Sequence, residues 1–183
     1  MDEDDFDITI HRNGLKQLEY HCDQFRYLFK LKKINYQPSD LTICSVLLNP
    51  SDKDRCIIGP TIRTLLEAIR HNELTKNFGE ITVINLSPYK ISDPKKIIDY
   101  DVVLNRYHIE NEIEFSDIVI FGYGNLNETS PTVRQKLENE SNFVKDTANK
   151  FGKDSYCFGK TKYKYPIHPF SITFTKNYEL EKF

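Results

Sequence analysis

The stretch LTICSVLLNPS, residues 41–51, decides how the rest of the chain is interpreted. Its first part is an almost continuous apolar run of strand length, and such a run is typical of a strand buried on both faces of a parallel sheet. The run ends abruptly in an amide, a proline and a hydroxyl, at Asn49, Pro50 and Ser51. Two interpretations of this ending are open: an ordinary turn, or a ligand site at the tip of a strand.

Strand patterns and helix patterns alternate along the chain around this stretch. Helices are indicated over 59–74, where apolar residues recur at helical spacing, and after Asp93-Pro94 and Ser130-Pro131, where a capping residue precedes a proline. Strands are predicted at 25–34, 41–49, 79–86, 117–124 and 154–159. The alternation predicts an α/β fold with a parallel sheet and helices on both faces. The strand at 25–34 is predicted to pair antiparallel with 41–49 at an edge.

Length and charge indicate how the chain is organised. The 183 residues are enough for one domain with a hydrophobic core, which we expect over residues 25–183, after an acidic, partly disordered segment at 1–24. The net charge of −2 argues against a strongly electrostatic nucleic-acid binder. The lysines between Lys145 and Lys164 could still form a local basic face.

The sequence contains no recognisable cofactor or metal motif. None of the four cysteines forms a CxxC pair, and neither GxGxxG nor GxxxxGK[ST] occurs. We therefore expect no cofactor and no metal. There is no signal peptide and no apolar run long enough to span a membrane, so we expect a cytoplasmic protein without a membrane partner.

Polar and aromatic residues follow the predicted strands at the points where those strands end. In an open parallel sheet the carboxyl ends of the strands share one edge, and ligands bind outside that edge. The candidates for this edge are Asn49, Pro50, Ser51, Asp52, Asn85, Tyr89, Gly122, Tyr123, Gly124, Asn125 and His168. Each alone has an ordinary explanation, such as a turn or a satisfied strand end, but four strand ends of this kind indicate a binding site.

The residue types indicate which ligand such a site would take. An Asn side chain offers a donor and an acceptor side by side, which suits the edge of a nucleobase. A tyrosine could stack on a flat ring, and a histidine could donate to an atom that gains negative charge. Ser51 and Asp52 could hold a water molecule.

The chain resembles an uncharacterised bacterial and phage family, domain of unknown function 1643. The resemblance lies in LLNPSDKD (47–54), PTIRTLLEAI (60–69), VINLSPYKISDP (83–94), VIFGYGN (119–125) and GKTKYKYPIHPF (159–170), in that order. The same layout is similar to the uracil-DNA glycosylase superfamily. That resemblance implies a three-layer α/β/α sandwich around a mostly parallel four-stranded sheet, here with an additional N-terminal edge strand.

The resemblance also implies roles for three residues. Asn49 corresponds to the residue that positions water, Asn85 to the residue that reads the base, and His168 to the histidine that stabilises the departing base. The sequence departs from the glycosylase pattern in having Asn49 in place of an aspartate and Tyr123 in place of a tryptophan. Because an amide cannot accept the proton of water, Asp52 is a candidate base.

Three functions are compatible with these observations. The first is hydrolysis of the N-glycosidic bond of a modified nucleobase, in a nucleotide or in a nucleic acid. The second is a nucleotide-binding module without turnover, which the Asn in place of Asp favours. The third is a protein-interaction or nucleic-acid-mimic role that uses the acidic N-terminus.

Overall fold

The fold is that of an α/β protein, as the sequence predicts. The computed structural model describes residues 7–11, 15–22, 24–51, 58–175 and 178–183. The strands are β1 (Asp7–His11), β2 (Leu15–Cys22), β3 (Phe25–Lys33), β4 (Leu41–Leu47), β5 (Phe78–Asn85), β6 (Ile118–Phe121), β7 (Asp154–Cys157) and β8 (Glu181–Lys182). The helices are α1 (Pro60–His71), α2 (Val102–Glu114), α3 (Pro131–Lys150) and α4 (Pro169–Thr175), with 3₁₀ turns at Pro94–Lys96 and Leu126–Glu128.

One sheet contains all of these strands, in the order β1-β2-β3-β5-β4-β6-β7-β8. The neighbours β5, β4, β6 and β7 run parallel to one another. The other pairs, β1–β2, β2–β3, β3–β5 and β7–β8, are antiparallel. The carboxyl ends of the four parallel strands therefore share one edge of the sheet, which we call the carboxyl edge.

The sheet differs from the prediction on its N-terminal side. The strand predicted at 25–34 is not an edge strand and does not pair with β4, because β3 lies between β2 and β5. Its central residues Tyr27, Leu28 and Phe29 are all buried, as expected for a strand covered on both faces. Residues 7–11 and 15–22 form two further strands within the segment expected to be partly disordered, whereas the acidic residues 1–6 lie outside the described part.

Two hydrophobic clusters cover the two faces of the sheet. Alternate residues of β4 point to opposite faces, so Ile43 and Leu47 join one cluster while Cys44 and Val46 join the other. The first cluster includes the buried stripe of α1 and Ile172 of α4, and the second includes buried residues of α2 and α3. The helices therefore lie in two layers, one on each face of the sheet.

The helix starts agree only in part with the sequence prediction. Ser130 caps α3 by accepting from the Val133 N–H at 3.4 Å, as predicted. The predicted cap Asp93 begins only the short 3₁₀ turn, whereas α2 begins nine residues on, with Asp101 accepting from the Leu104 N–H at 3.0 Å. The intervening segment cannot be helical, since it places Tyr100 in the core with its hydroxyl donating to the Leu86 carbonyl at 2.8 Å.

Candidate functional site

A cavity of about 770 Å³ lies at the carboxyl edge of the parallel strands. Its wall contains the residues that follow β4, the last residue of β5, and the loops that follow β6 and β7. The volume lies within the range of roughly 300–1,000 Å³ that is usual for small-molecule sites. A cavity of ligand size thus lies at the edge of the sheet where the sequence predicts a site.

The cavity brings together most of the residues predicted for this edge. It is lined by Asn49, Pro50, Ser51, Asn85, Tyr123, Gly124, Asn125 and His168. Tyr89 and Gly122 do not line it: Tyr89 packs against the ring of Phe25, with the ring centroids 5.8 Å apart. Asp52 lies outside the described residues.

Asn85, the last residue of β5, has the most unusual environment in the wall. Its side chain is 1% exposed, and neither its Nδ2 nor its Oδ1 atom has a hydrogen-bond partner in the part of the chain that the structure describes. Its backbone is held in place, because Asn105 Nδ2 donates to the Asn85 carbonyl at 3.2 Å. A buried polar group without a partner costs about 1–3 kcal/mol, so a ligand that pairs with this amide would recover that free energy.

Asn49, which follows β4, is held differently. Its Nδ2 donates to the Ile91 carbonyl by a short hydrogen bond and to the Pro50 carbonyl at 3.1 Å. Because a carbonyl can only accept, these contacts fix which end of the amide is nitrogen. The Oδ1 atom is left as an acceptor with no partner among the described residues. Asn49 therefore both anchors the 91–94 loop and offers an oxygen that could accept from a water molecule.

His168 is positioned by the segment that follows β7. Its Nδ1 accepts from the Phe170 N–H at 3.3 Å, so the proton of the neutral ring lies on Nε2. Burial lowers the pKa of His168 to about 4. The imidazole is therefore neutral near pH 7, with an N–H that can donate to a ligand atom.

The glycines after β6 position His168. A β-carbon at Gly122 would lie 3.1 Å from Cδ of Pro169, and one at Gly124 would lie 3.2 Å from Cβ of His168. Gly124 also has a φ of 78°, and its N–H donates to the Pro166 carbonyl at 3.1 Å. These glycines therefore let the His168 segment pack tightly against the ends of β4 and β6.

The polar groups of Tyr123 and Asn125 form hydrogen bonds within the protein. Tyr123 is 1% exposed and its hydroxyl accepts from Ser141 Oγ at 2.8 Å, while burial raises its pKa to about 12. Asn125 accepts from the Asn127 N–H at 3.2 Å and so caps the 3₁₀ turn. Both residues shape the wall, and neither presents a fully free polar side chain.

Sequence reasoning missed several polar residues of the wall. They are Arg26, Thr61, Ser92, Glu128, Lys160, Thr161 and Ser171. Arg26 is 3% exposed, and its guanidinium lies 4.0 Å from Glu19. Because β3 is antiparallel to β5, the first residues of β3 lie at the carboxyl edge. The position of Arg26 in the cavity wall could therefore be predicted only from the strand pairing. Ser92, Lys160 and Thr161 lie in loops that follow strands, where their positions in the sequence were a usable signal. Glu128 lies in a 3₁₀ turn, and Thr61 and Ser171 lie in the first turns of α1 and α4.

The family comparison covers most of the chain. Residues 26–170 match the model of a protein family of unknown function, DUF1643. The chain belongs to this family. No match was found among curated proteins or among solved structures. The family match spans β3 to the first residues of α4, and so includes every part of the cavity wall except Ser171.

The described residues contain neither a group of metal-ligating side chains nor a helix that could span a membrane. Among the described residues, no three His, Cys, Asp or Glu side chains lie close enough together to hold a metal ion. In the same part of the chain, no helix combines the length and the apolar character that crossing a membrane requires.

Proposed function

We propose that this protein binds a nucleobase in the cavity and hydrolyses the N-glycosidic bond that joins the base to its sugar. The observation that carries the proposal is the buried amide of Asn85, whose donor and acceptor both lack partners in the described structure. A nucleobase edge presents a donor and an acceptor side by side at the spacing of an amide. Binding such an edge would satisfy both atoms at once.

The arrangement of the other residues supports the same proposal. Asn49, Asn85 and His168 line one cavity although they stand far apart in the sequence. They lie at the ends of β4 and β5 and in the segment after β7. The sequence resemblance to the uracil-DNA glycosylase superfamily predicts this order of site residues, which supports the proposal. The parallel order β5-β4-β6-β7 and the two helix layers are compatible with a fold of that kind.

The proposed reaction divides among three side chains. Water held by Oδ1 of Asn49 adds its oxygen to the anomeric carbon, and the electron pair of the C–N bond leaves with the base. The Nε2–H of neutral His168 stabilises the negative charge that develops on the base, which finally takes the proton released by the water. Because Asn49 cannot accept that proton, stabilisation of the leaving base carries most of the catalysis.

Mass spectrometry of released bases tests the proposal. The wild-type protein would be incubated with nucleotides and with DNA and RNA that carry modified bases, alongside Asn49→Ala, Asn85→Ala and His168→Ala. We expect free base from the wild type and at least a 100-fold loss in His168→Ala. Asn139→Ala and His71→Ala, on exposed helix surfaces, are the matched controls. Equal release by His168→Ala would refute the assignment.

A nucleotide-binding module without turnover is the second candidate. The hydrogen bonding of Asn49 favours this candidate, because its amide nitrogen already donates to the Ile91 carbonyl. Among the described residues of the cavity wall, Glu128 is the only carboxylate, and it accepts from Asn125 Nδ2 at 3.4 Å. A nucleotide retained unaltered after purification, with no free base formed, would support this candidate against the hydrolase.

A further inference from the structure

The chain forms a tight hairpin between β7 and His168. The Ile167 N–H donates to the Gly159 carbonyl at 2.9 Å, and the Thr161 N–H donates to the Tyr165 carbonyl at 2.7 Å. Lys164 takes a φ of 65°, and its N–H closes the turn on the Thr161 carbonyl at 2.8 Å. These bonds define a stem, which ends in an exposed tip formed by 162–164.

The hairpin is attached to the body of the protein on two sides. The Tyr165 hydroxyl donates to Glu138 of α3 at 2.9 Å, which anchors the stem to a helix. Gly159, Lys160 and Thr161 line the cavity. The stem therefore forms part of the wall of the site, and the tip is held in a defined place beside its mouth.

The tip presents an aromatic ring between two positive charges. Tyr163 is 51% exposed, and the ammonium of Lys162 lies 4.9 Å from the centroid of its ring. Lys162 and Lys164 are exposed and make no ion pair with any residue that the structure describes. Other lysines of this region are neutralised, Lys150 by Glu110 and Lys182 by Asp154. The tip thus carries two positive charges that no ion pair in the described structure neutralises.

We propose that this tip binds a single-stranded nucleic acid, with Tyr163 stacking on a base and Lys162 and Lys164 contacting phosphates. Exposed aromatic rings flanked by basic residues are the usual means by which proteins hold single strands. The inference rests on the proposed function and names its substrate class: a nucleotide within a strand rather than a free nucleotide. A single strand also offers its bases without the cost of flipping them from a duplex.

The dimensions fit this arrangement. Tyr163 at the tip is the third residue after Lys160 in the cavity wall, a span of at most roughly 10 Å. Successive nucleotides of a strand rise by about 3.4 Å when stacked. About three stacked nucleotides therefore cover the distance from Tyr163 to this part of the cavity wall. One short strand can occupy both places.

Fluorescence anisotropy with a labelled 12-nucleotide DNA strand tests the proposal. In Tyr163→Ala we expect binding weaker by about 5- to 150-fold, the usual loss of one base–aromatic stack. In Lys162→Gln/Lys164→Gln we expect the slope of log affinity against log salt to become shallower by about 1.4. The matched controls are Tyr107→Ala, which removes a ring of similar exposure on α2, and Lys33→Gln/Lys153→Gln, which removes two charges at the opposite edge of the sheet.

The outcomes separate this inference from the proposed function. If the wild type binds no strand, or if Tyr163→Ala binds as tightly as Tyr107→Ala, the inference is overturned, even where base release from free nucleotides shows that the proposed function stands. If strand binding depends on Tyr163 but no base is released from any substrate, the hydrolase proposal fails and the tip remains a single-strand site. Equal losses in both lysine pairs would show a general charge effect and would also overturn the inference.

Discussion

The two edges of the parallel sheet differ in how fully some of their polar side chains are hydrogen-bonded. At the amino edge, Asp117 accepts from the Thr42 N–H at 2.7 Å, and Asp40 accepts from the Gln37 N–H at 3.1 Å. At the carboxyl edge, Asn85 leaves both polar atoms without a partner in the described structure, and the Oδ1 of Asn49 is also unpaired there. Since both edges belong to the same strands, chain topology alone does not cause this difference.

The contrast separates side chains that cap backbone groups from side chains whose polar atoms have no partner in the described structure. A side chain that caps a backbone group contributes to stability whether or not anything binds. An unpaired buried amide lowers the stability of the ligand-free protein and is useful only when a ligand pairs with it. Substitutions at the two edges should therefore change stability and binding in different combinations.

The largest effect is expected for Asn85→Leu, which replaces the unpaired amide by an apolar side chain of similar shape. Affinity for the nucleotide that the wild type binds should fall on the order of 100-fold, because a two-bond contact with the base is lost. The ligand-free protein should become more stable by about 1–3 kcal/mol, because two unpaired atoms are removed from the interior. Calorimetric titration and urea unfolding measure the two changes. A loss of stability would show that Asn85 has a structural partner.

The second prediction concerns the pH response of two imidazoles, that of half-buried His168 at the carboxyl edge and that of His108 on the buried face of α2. Burial lowers the pKa of each to about 4, below the 6.5 of an unfolded chain. As the pH falls, the unfolded chain binds protons first, so stability present above pH 6.5 is lost progressively between pH 6.5 and 4.

The variant His108→Phe isolates the contribution of His108 to the pH-dependent loss of stability. The ring of His108 packs among tyrosines, and its Nε2 has no partner in the described structure, so phenylalanine should be accepted there. The variant should lack a pH-dependent loss of about 3 kcal/mol that the wild type shows between pH 6.5 and 4. Urea unfolding at several pH values measures the difference, with His71→Phe at an exposed helix end as the control. Parallel pH profiles for wild type and variant would contradict the prediction.

A smaller effect, opposite in sign to that of Asn85→Leu, is expected for Asn49→Leu. This change removes the donor from the Ile91 carbonyl and releases the 91–94 loop, so the protein should lose about 1–2 kcal/mol of stability. Urea unfolding of the two leucine variants side by side provides the measurement. Stabilisation by both variants would mean that the two amides are equivalent and that Asn49 is not an anchor.

The smallest effect is expected at the amino edge. Asp117→Ala removes an exposed contact to the Thr42 N–H and should cost about 0.5–1 kcal/mol, with no change in nucleotide affinity. Calorimetric titration measures the affinity of this variant, and urea unfolding measures its stability. A change in affinity comparable to that of Asn85→Leu would show that the two edges are coupled, and the distinction drawn between them would then fail.

The sequence by itself determined much of the local structure and eight of the residues that line the cavity. The apolar run of β4, the stripe of α1 and the cap at Ser130 are local patterns, because a strand or helix is set by the spacing of neighbouring residues. The rule that parallel strands end at a common edge then predicts that Asn49, Asn85 and Gly124 lie near His168, and all four line the cavity. Asp93 shows the limit of local signals, since it resembles the cap of a long helix yet starts only a short turn.

Only the tertiary structure decided which strands pair and which polar groups remain unpaired. The position of β3 beside β5, which brings Arg26 to the cavity, depends on contacts between segments about fifty residues apart in the sequence. The two asparagines look equivalent as strand endings, but the loop at Ile91 reaches one amide and leaves the other without a partner. Hydrogen bonding is a property of the three-dimensional neighbourhood, so the difference between an anchoring amide and an unpaired amide appears only after folding.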